Sequence, residues 1–359
     1  MSADTKPGRS GLPHGSSELP AVVVDSTNIE LKDAEGFVGD QVSKKAFRAL
    51  IEEWRERMRP FGPDPLGDRA SETISKKRLD EYLIDGSPLA SGIVFSAVED
   101  FAQAMARLVR QFLRQEGWRD TSHIVVGGGL RDSLVGKLAI ARAAAILRGG
   151  GLDIVIEPIR NHPDEAGLIG SVHLAPAWIF SGYDSLVAVD IGGSNIRAGI
   201  VQTNLRKAPD LSRAEVWRSE IWRHVDDEPE PSRDEAVQRL IEILADLIRR
   251  AERADLALAP FIGIGCPGRI EPDGTIDRGG QNLPGDWEGE DFKLPGRILD
   301  AIPRIGDHET MVVMHNDAVV QGLSEIPHLR DVPRWGILTV GTGLGNARFS
   351  SRKRPGASD

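Results

Sequence analysis

Three glycine-rich turns and one carboxylate carry the chemistry legible in this chain of 359 residues. Asp190-Ile-Gly192-Gly193-Ser194-Asn195 follows the apolar run 186–189, which reads as a buried strand. A strand turning through Gly192, Gly193 and Ser194 brings backbone N–H groups against a phosphate, because glycine has no Cβ to hold the ligand off. Asp190, at the strand end, is placed to hold Mg²⁺ through water. Gly341-Thr342-Gly343 follows the strand 335–340 and repeats the device, with the Thr342 hydroxyl as a further donor. Gly127-Gly128-Gly129, between the strand 123–126 and the helix 134–148, offers a bare backbone on which a flat ligand can lie. Each turn alone reads as easily as a hairpin or a loop. Three in one chain, all after apolar strands, make that reading weaker.

The carboxylate is Asp317, in His315-Asn316-Asp317 at the end of the apolar strand 311–314. Such a group can take the proton of an alcohol; the competing role is a helix N-cap. Asn282, in Gln281-Asn-Leu-Pro-Gly285, can hydrogen-bond a sugar hydroxyl or close an Asx turn.

The elements that must position these residues alternate between short apolar runs and helical periodicity. Strands are expected at 21–25, 123–126, 152–159, 186–190, 195–201, 261–265, 311–314, 335–340 and 346–350. Helices are expected at 42–58, 97–115, 134–148, 164–177 and 236–254, the second with Phe101, Met105, Leu108, Val109 and Phe112 on one face. The segments 60–67 and 225–234, rich in proline and glycine or in acid, read as loops. The strand–turn–strand pattern at 190 returns at 339, which points to a duplicated α/β unit with a cleft between the halves.

Composition bounds the function. With 40% hydrophobic and 27% charged residues, the chain can bury a large core. A net charge of −10 without a basic run argues against nucleic-acid binding. Apolar runs fall far short of the roughly 20 residues that cross a bilayer, so no membrane association is expected. The single cysteine, Cys266, excludes an intrachain disulfide and a multi-cysteine zinc site and fits a reducing cytoplasm.

The segment 187–201 resembles the first phosphate motif of ROK-family sugar kinases and glucokinases, in the actin/hexokinase superfamily. Ile262-Gly-Ile-Gly-Cys-Pro-Gly268, Asp273-Gly274 and Gln281-Asn-Leu-Pro-Gly285 resemble its next segment, and 341–345 its second phosphate motif. His315-Asn-Asp-Ala318 is similar to the family's Glu-Asn-Asp-Ala, whose Asp is the catalytic base. The resemblance implies ATP and Mg²⁺ as cofactors and a hexose as substrate. Asp317 would then be the base. Asp190, Gly192, Gly193, Ser194, Asn195, Gly341, Thr342 and Gly343 would hold phosphate, and Gly127, Gly128 and Gly129 would hold adenosine. Gly268, Asn282, Asn316, Asp317 and Glu18 would meet the sugar. The family's Glu-x-Gly-His appears as Glu18-Leu-Pro-Ala21, without its His, and its zinc-binding cysteines are absent. Asp40 is the nearest acidic counterpart of a later sugar-contacting Glu.

The order of these segments is unusual. Residues 124–130 and 164–175 resemble the family's C-terminal adenosine-site segment, yet they precede the first phosphate motif. The expectation is therefore a circularly permuted, two-lobed, ribonuclease-H-like α/β fold with a ligand cleft between the lobes. Its expected parts are a tail (1–20), the large lobe (21–182 and 315–350, with the helix at 164–177 packing back on the small lobe), the small lobe (183–314) and a second tail (351–359). A homodimer is left open. The rival reading is a non-catalytic sugar sensor of the ROK type acting through a protein partner.

Overall fold

The computed structural model describes residues 12–33 and 36–352. The expected tails at 1–11 and 353–359 lie outside the described residues. Ten strands build two five-stranded sheets: β1 (Val22–Thr27), β2 (His123–Gly127), β3 (Val155–Pro158), β4 (Ser185–Ile191), β5 (Ile196–Gln202), β6 (Glu215–Trp222), β7 (Leu258–Cys266), β8 (Met311–Asn316), β9 (Arg334–Val340) and β10 (Leu344–Ser351). The helices are α1 (Lys44–Met58), α2 (Lys76–Asp85), α3 (Pro88–Leu113), α4 (Leu134–Gly149), α5 (Pro163–Gly170), α6 (Arg233–Arg253), α7 (Leu294–Ala301), α8 (Asp317–Leu323) and α9 (Ile326–Leu329). The remaining described strands are two short antiparallel pairs, Lys32–Asp33 with Gly36–Phe37 and Arg304–Ile305 with His308–Glu309. Among the described residues no helix is long and apolar enough to cross a membrane.

The chain divides into two compact units, one of residues 1–20 and 167–324, the other of residues 21–166 and 325–359. In the first, the sheet order is β6-β5-β4-β7-β8. Strands β4, β5 and β6 are successively antiparallel, while β7 and β8 run parallel to β4. Helix α6 fills the crossover between β6 and β7. Its Ser232 cap and Glu235 form a capping box, and its buried stripe includes Leu240, Ile243, Leu244, Leu247 and Ile248. These side chains join Val187, Val189, Ile262, Ile264 and Trp287 in one core.

The second unit repeats the pattern. Its sheet order is β1-β10-β9-β2-β3, with β9, β10 and β1 antiparallel and β2 and β3 parallel to β9. Taken in the order β9, β10, β1, β2, β3, it has the spatial order and strand directions of the first sheet. That correspondence requires Ser351 to be followed by Val22. The two are paired across β10 and β1, and Arg352 N–H donates to Ala21 O at 3.0 Å. Helices α1–α3 occupy the crossover that α6 occupies in the first unit, and α4 the one that α7 occupies.

The boundaries differ from the expected ones. Residues 167–182 and 315–324 belong with β4–β8 rather than with the 21–166 segment. Strand β8 runs directly into α8, and a Cβ on Gly170 would stand 1.7 Å from Val320 O, so the two segments pack backbone to backbone. Residues 12–20 are part of the first unit instead of a tail. Gly15 N–H donates to Met314 O at 2.9 Å, and Met314 N–H donates to His14 Nδ1 at 3.1 Å. The expected helix 164–177 stops at Gly170 and continues as a 3₁₀ turn. Helix α3 begins at Pro88, nine residues before the expected start, because Ser87 caps it and proline is tolerated in the first turn. Helix α2 and strand β6 were not expected: α2 buries only Leu79, and β6 buries no residue fully, so neither shows a clear apolar period.

Candidate active site

In the first unit the parallel strands β4, β7 and β8 end side by side, with Asp190 opposite Gly265 and His315 opposite Gly265 from the other side. Gly265 spaces two acids. A Cβ there would stand 3.5 Å from Asp190 Oδ1 and 3.5 Å from Asp317 Cα. Gly167 closes in similarly, its absent Cβ 2.5 Å from Asp190 Cγ. The Gly-x-Gly alternation at 263 and 265 was the available signal, since glycine inside a strand marks a close approach on one face.

The competing role for Asp317 falls to its neighbour. Asn316 is the N-cap of α8, its Oδ1 accepting from Ala318 N–H at 3.1 Å and Val319 N–H at 3.3 Å. Asn316 Nδ2 donates to Gly268 O at 3.0 Å and to Asp317 Oδ1 at 3.1 Å. Asp317 itself is half-buried. Desolvation raises its pKa to about 6, against the opposing pull of backbone N–H groups and the Asn316 amide. A carboxylate poised there is ionised at neutral pH and still basic enough to accept a proton.

Asp190 is 2% exposed, with Arg197 Nη1 3.5 Å from its Oδ2 across the β4–β5 hairpin. Beyond it, Gly192 N–H donates to Asn195 O at 2.8 Å, closing the turn that carries Gly193 and Ser194. A Cβ on Gly193 would stand 2.9 Å from Asn282 Cβ, so the structure brings this turn and Asn282 together. Gly268 has φ +98° and is held by the Asn316 amide, next to Asp317. Buried His224 was not anticipated: its Nε2 lies 3.1 Å from Gly192 O and ties the turn to the segment after β6. His315 is buried, which lowers its pKa to about 4, and its Nε2 lies 3.0 Å from Ser16 O. Glu18, exposed, follows that tether by two residues.

The second unit assembles the other glycines. Thr339 pairs with Gly127 across β9 and β2. Gly128, at φ +85°, has its absent Cβ 2.2 Å from Val340 O, so packing between the two turns by itself requires glycine there. Gly129 O accepts from Lys76 Nζ at 2.6 Å, a cation the sequence reading passed over. In the β9–β10 turn, Gly341 N–H donates to Gly343 O at 2.9 Å and Gly341 O accepts from Lys44 N–H at 3.0 Å. Thr342 and Gly343 are exposed, and a Cβ on Gly343 would meet nothing within 4 Å. Nothing in the protein therefore requires glycine at 343. Cys266 is fully buried, and burial together with the Asp317 and Asp190 charges raises its thiol pKa well above the usual value. Among the described residues no group of three or more His, Cys, Asp or Glu side chains could hold a metal ion.

No protein-family model matches the chain, and no curated protein matches it. Solved structures do. The chain is similar to a putative sugar kinase from Cytophaga hutchinsonii, at 16% identity over 46% of this chain and 47% of that one, with a TM-score of 0.35. It is similar to a ROK hexokinase from Thermus thermophilus, at 22% identity over 45% of each chain and a TM-score of 0.33. It is also similar to a ROK-family glucokinase from Streptomyces griseus, solved with glucose and AMPPNP, at 22% identity over 47% of this chain and 45% of that one, with a TM-score of 0.35. The chain thus spans less than half the length of each of these.

Proposed function

We propose that the protein transfers the γ-phosphoryl group of ATP to a hydroxyl of a hexose. The observation that carries this reading is Asp317: its capping duty is discharged by Asn316, its pKa is raised to about 6, and it stands beside buried Asp190 across Gly265. The sugar oxygen attacks the γ-phosphorus while its proton passes to an Asp317 oxygen. The bond from phosphorus to the β,γ-bridging oxygen breaks, and ADP leaves. Asn282, Gly268 and Asn316 orient the sugar. The turn at 192–195 holds transferred phosphate through backbone N–H groups, and the turn at 341–343 does the same for the nucleotide, with the chain at 127–129 taking its adenosine. Such catalysis rests on positioning and charge neutralisation. Asp190 is the carboxylate suited to Mg²⁺, which binds through one or two carboxylates plus phosphates and water, and the ion would neutralise phosphate charge. Arg197 beside it leaves that carboxylate already part-compensated, which fits contact through water rather than direct ligation.

We further infer that the chain order is a circular permutation of the ROK order. Its support is the second sheet, which acquires the strand order of the first only when β10 is followed by β1.

The test is an ADP-release assay over about ten sugars with the wild-type protein and Asp317→Asn, the variant expected to lose about 10²–10⁴-fold in turnover. Sugar binding without turnover of any of them would favour the sensor.

A further inference from the structure

Helix α2 is tied to the glycine loop that follows β2, and little apolar surface holds it there, since Leu79 is its only buried residue. Polar ties fix it at two points one turn apart. Lys76 Nζ donates to Gly129 O at 2.6 Å. Asp80 accepts from Leu134 N–H and Val135 N–H, one on each carboxylate oxygen and both at 3.0 Å. Residues i and i+4 share a helix face, so both ties come from the side of α2 turned to the loop. Asp80 is thus engaged by the start of α4. Arg78, two residues beyond Lys76, pairs with Glu81 at 2.9 Å, whereas Lys76 is in no ion pair among the described residues.

The place of this ammonium bears on what the loop can hold. A Cβ built on Gly129 would meet one atom within 4 Å beyond its chain neighbours, and that atom is Lys76 Nζ at 3.7 Å. The open face of Gly129, on which a ligand can lie, therefore has a cation at its margin. An ammonium carries three N–H donors, of which Gly129 O takes one. Lys76 is exposed, so the other two are accessible. A neutral nucleoside does not need that charge. A phosphate does, and lysine serves phosphate as a point charge. The turn at 341–343 is close by: Thr339 pairs with Gly127, and neighbouring strands lie about 4.8 Å apart.

We propose that Lys76 holds the phosphate chain of the nucleotide at its nucleoside end, so that the loop at 127–129 selects a nucleotide over a nucleoside. The proposal rests on the reading of 127–129 and 341–343 as a nucleotide site. Helix α2 is the strut that carries the charge to the loop, and Asp80 holds the strut in place.

The experiment is calorimetric titration, without sugar, of the wild type, Lys76→Met and Lys77→Met. The ligands are ATP with Mg²⁺, inorganic tripolyphosphate and adenosine. Lys77 is exposed and carries the same charge, without a hydrogen bond to the loop. Lys76→Met should weaken ATP and tripolyphosphate about tenfold or more, the loss expected for one hydrogen bond to a charged group. Its adenosine affinity should change less than about twofold, and Lys77→Met should change no ligand by more than about threefold. Circular dichroism should be the same for all three proteins. Equal losses for ATP and adenosine would mean that Lys76 only shapes the loop, and would overturn the proposal. So would a Lys77→Met variant as weak as Lys76→Met, a Lys76→Met variant that binds ATP as the wild type does, or a wild type that binds neither ATP nor tripolyphosphate. Because no turnover is read, a protein that phosphorylates no sugar yet binds ATP through Lys76 would remove the kinase reading and leave this proposal standing.

Discussion

Replacing Asp317 by Asn separates a catalytic base from a structural acid by moving activity and stability in opposite directions. An Asp in water titrates near 3.8, whereas Asp317 titrates at about 6. The difference corresponds to about 3 kcal/mol of penalty on the ionised folded protein. Asp317 is half-buried, so solvent screening trims this to about 1–3 kcal/mol. The sign follows from linkage: the raised pKa means that the folded state binds the proton more tightly than the unfolded state. Wild-type stability is therefore undiminished below about pH 4 and falls as pH rises through about 6. Asn has no such titration. Asp317→Asn should be more stable than wild type by about 1–3 kcal/mol at pH 8, with the gap closing towards pH 4. Its turnover should fall about 10²–10⁴-fold. In the wild type, kcat/KM should rise with pH through about 6, standing near a tenth of its plateau at pH 5, because the base works only when ionised. Urea titrations at pH 8 and pH 4, beside the ADP-release assay, make the check. A variant less stable than wild type at pH 8 would mean that Asp317 holds the helix after all. Near-wild-type turnover would remove it as the base.

The two glycine sites of the second unit should respond differently. Gly128→Ala meets Val340 O at 2.2 Å from a positive φ and should lose about 1–3 kcal/mol of stability in chemical denaturation. Gly343→Val, in open space, should leave the melting temperature nearly unchanged and raise the KM for ATP far more than that for sugar; equal increases would take phosphate away from this turn. Cys266, buried and with a raised pKa, should resist thiol reagents at pH 8 in the native protein and react once urea unfolds it. Joining Arg352 to Gly11 through a short Gly/Ser linker and reopening the chain near Tyr183 should give a cooperatively folding protein with unchanged circular dichroism. Loop-closure cost grows slowly with length, and a molten or insoluble product would contradict the permuted order.

Much of this was legible in the residues alone. Buried strands that run into glycine turns announce themselves, because apolar β-branched runs have few other uses and glycine punctuates them. Asp190, the turns at 192 and 341 and the Asp at 317 could be picked out before any fold was known. What local sequence does not encode is which backbone approaches which. The spacing of Asp190 and Asp317 across Gly265, and the closeness of Gly170 to Val320, depend on strands and helices distant in the chain. So do the duty of Asn316 as cap, the support of the first turn by His224, and the docking of His14, Gly15 and Ser16 on β8. Strand β6 and helix α2 stayed hidden because an element with little buried surface has no apolar period to read. Glycine itself is ambiguous in sequence. Gly128 and Gly343 look alike there, and only the tertiary structure distinguishes a glycine hemmed in by its own protein from one that leaves room for a ligand.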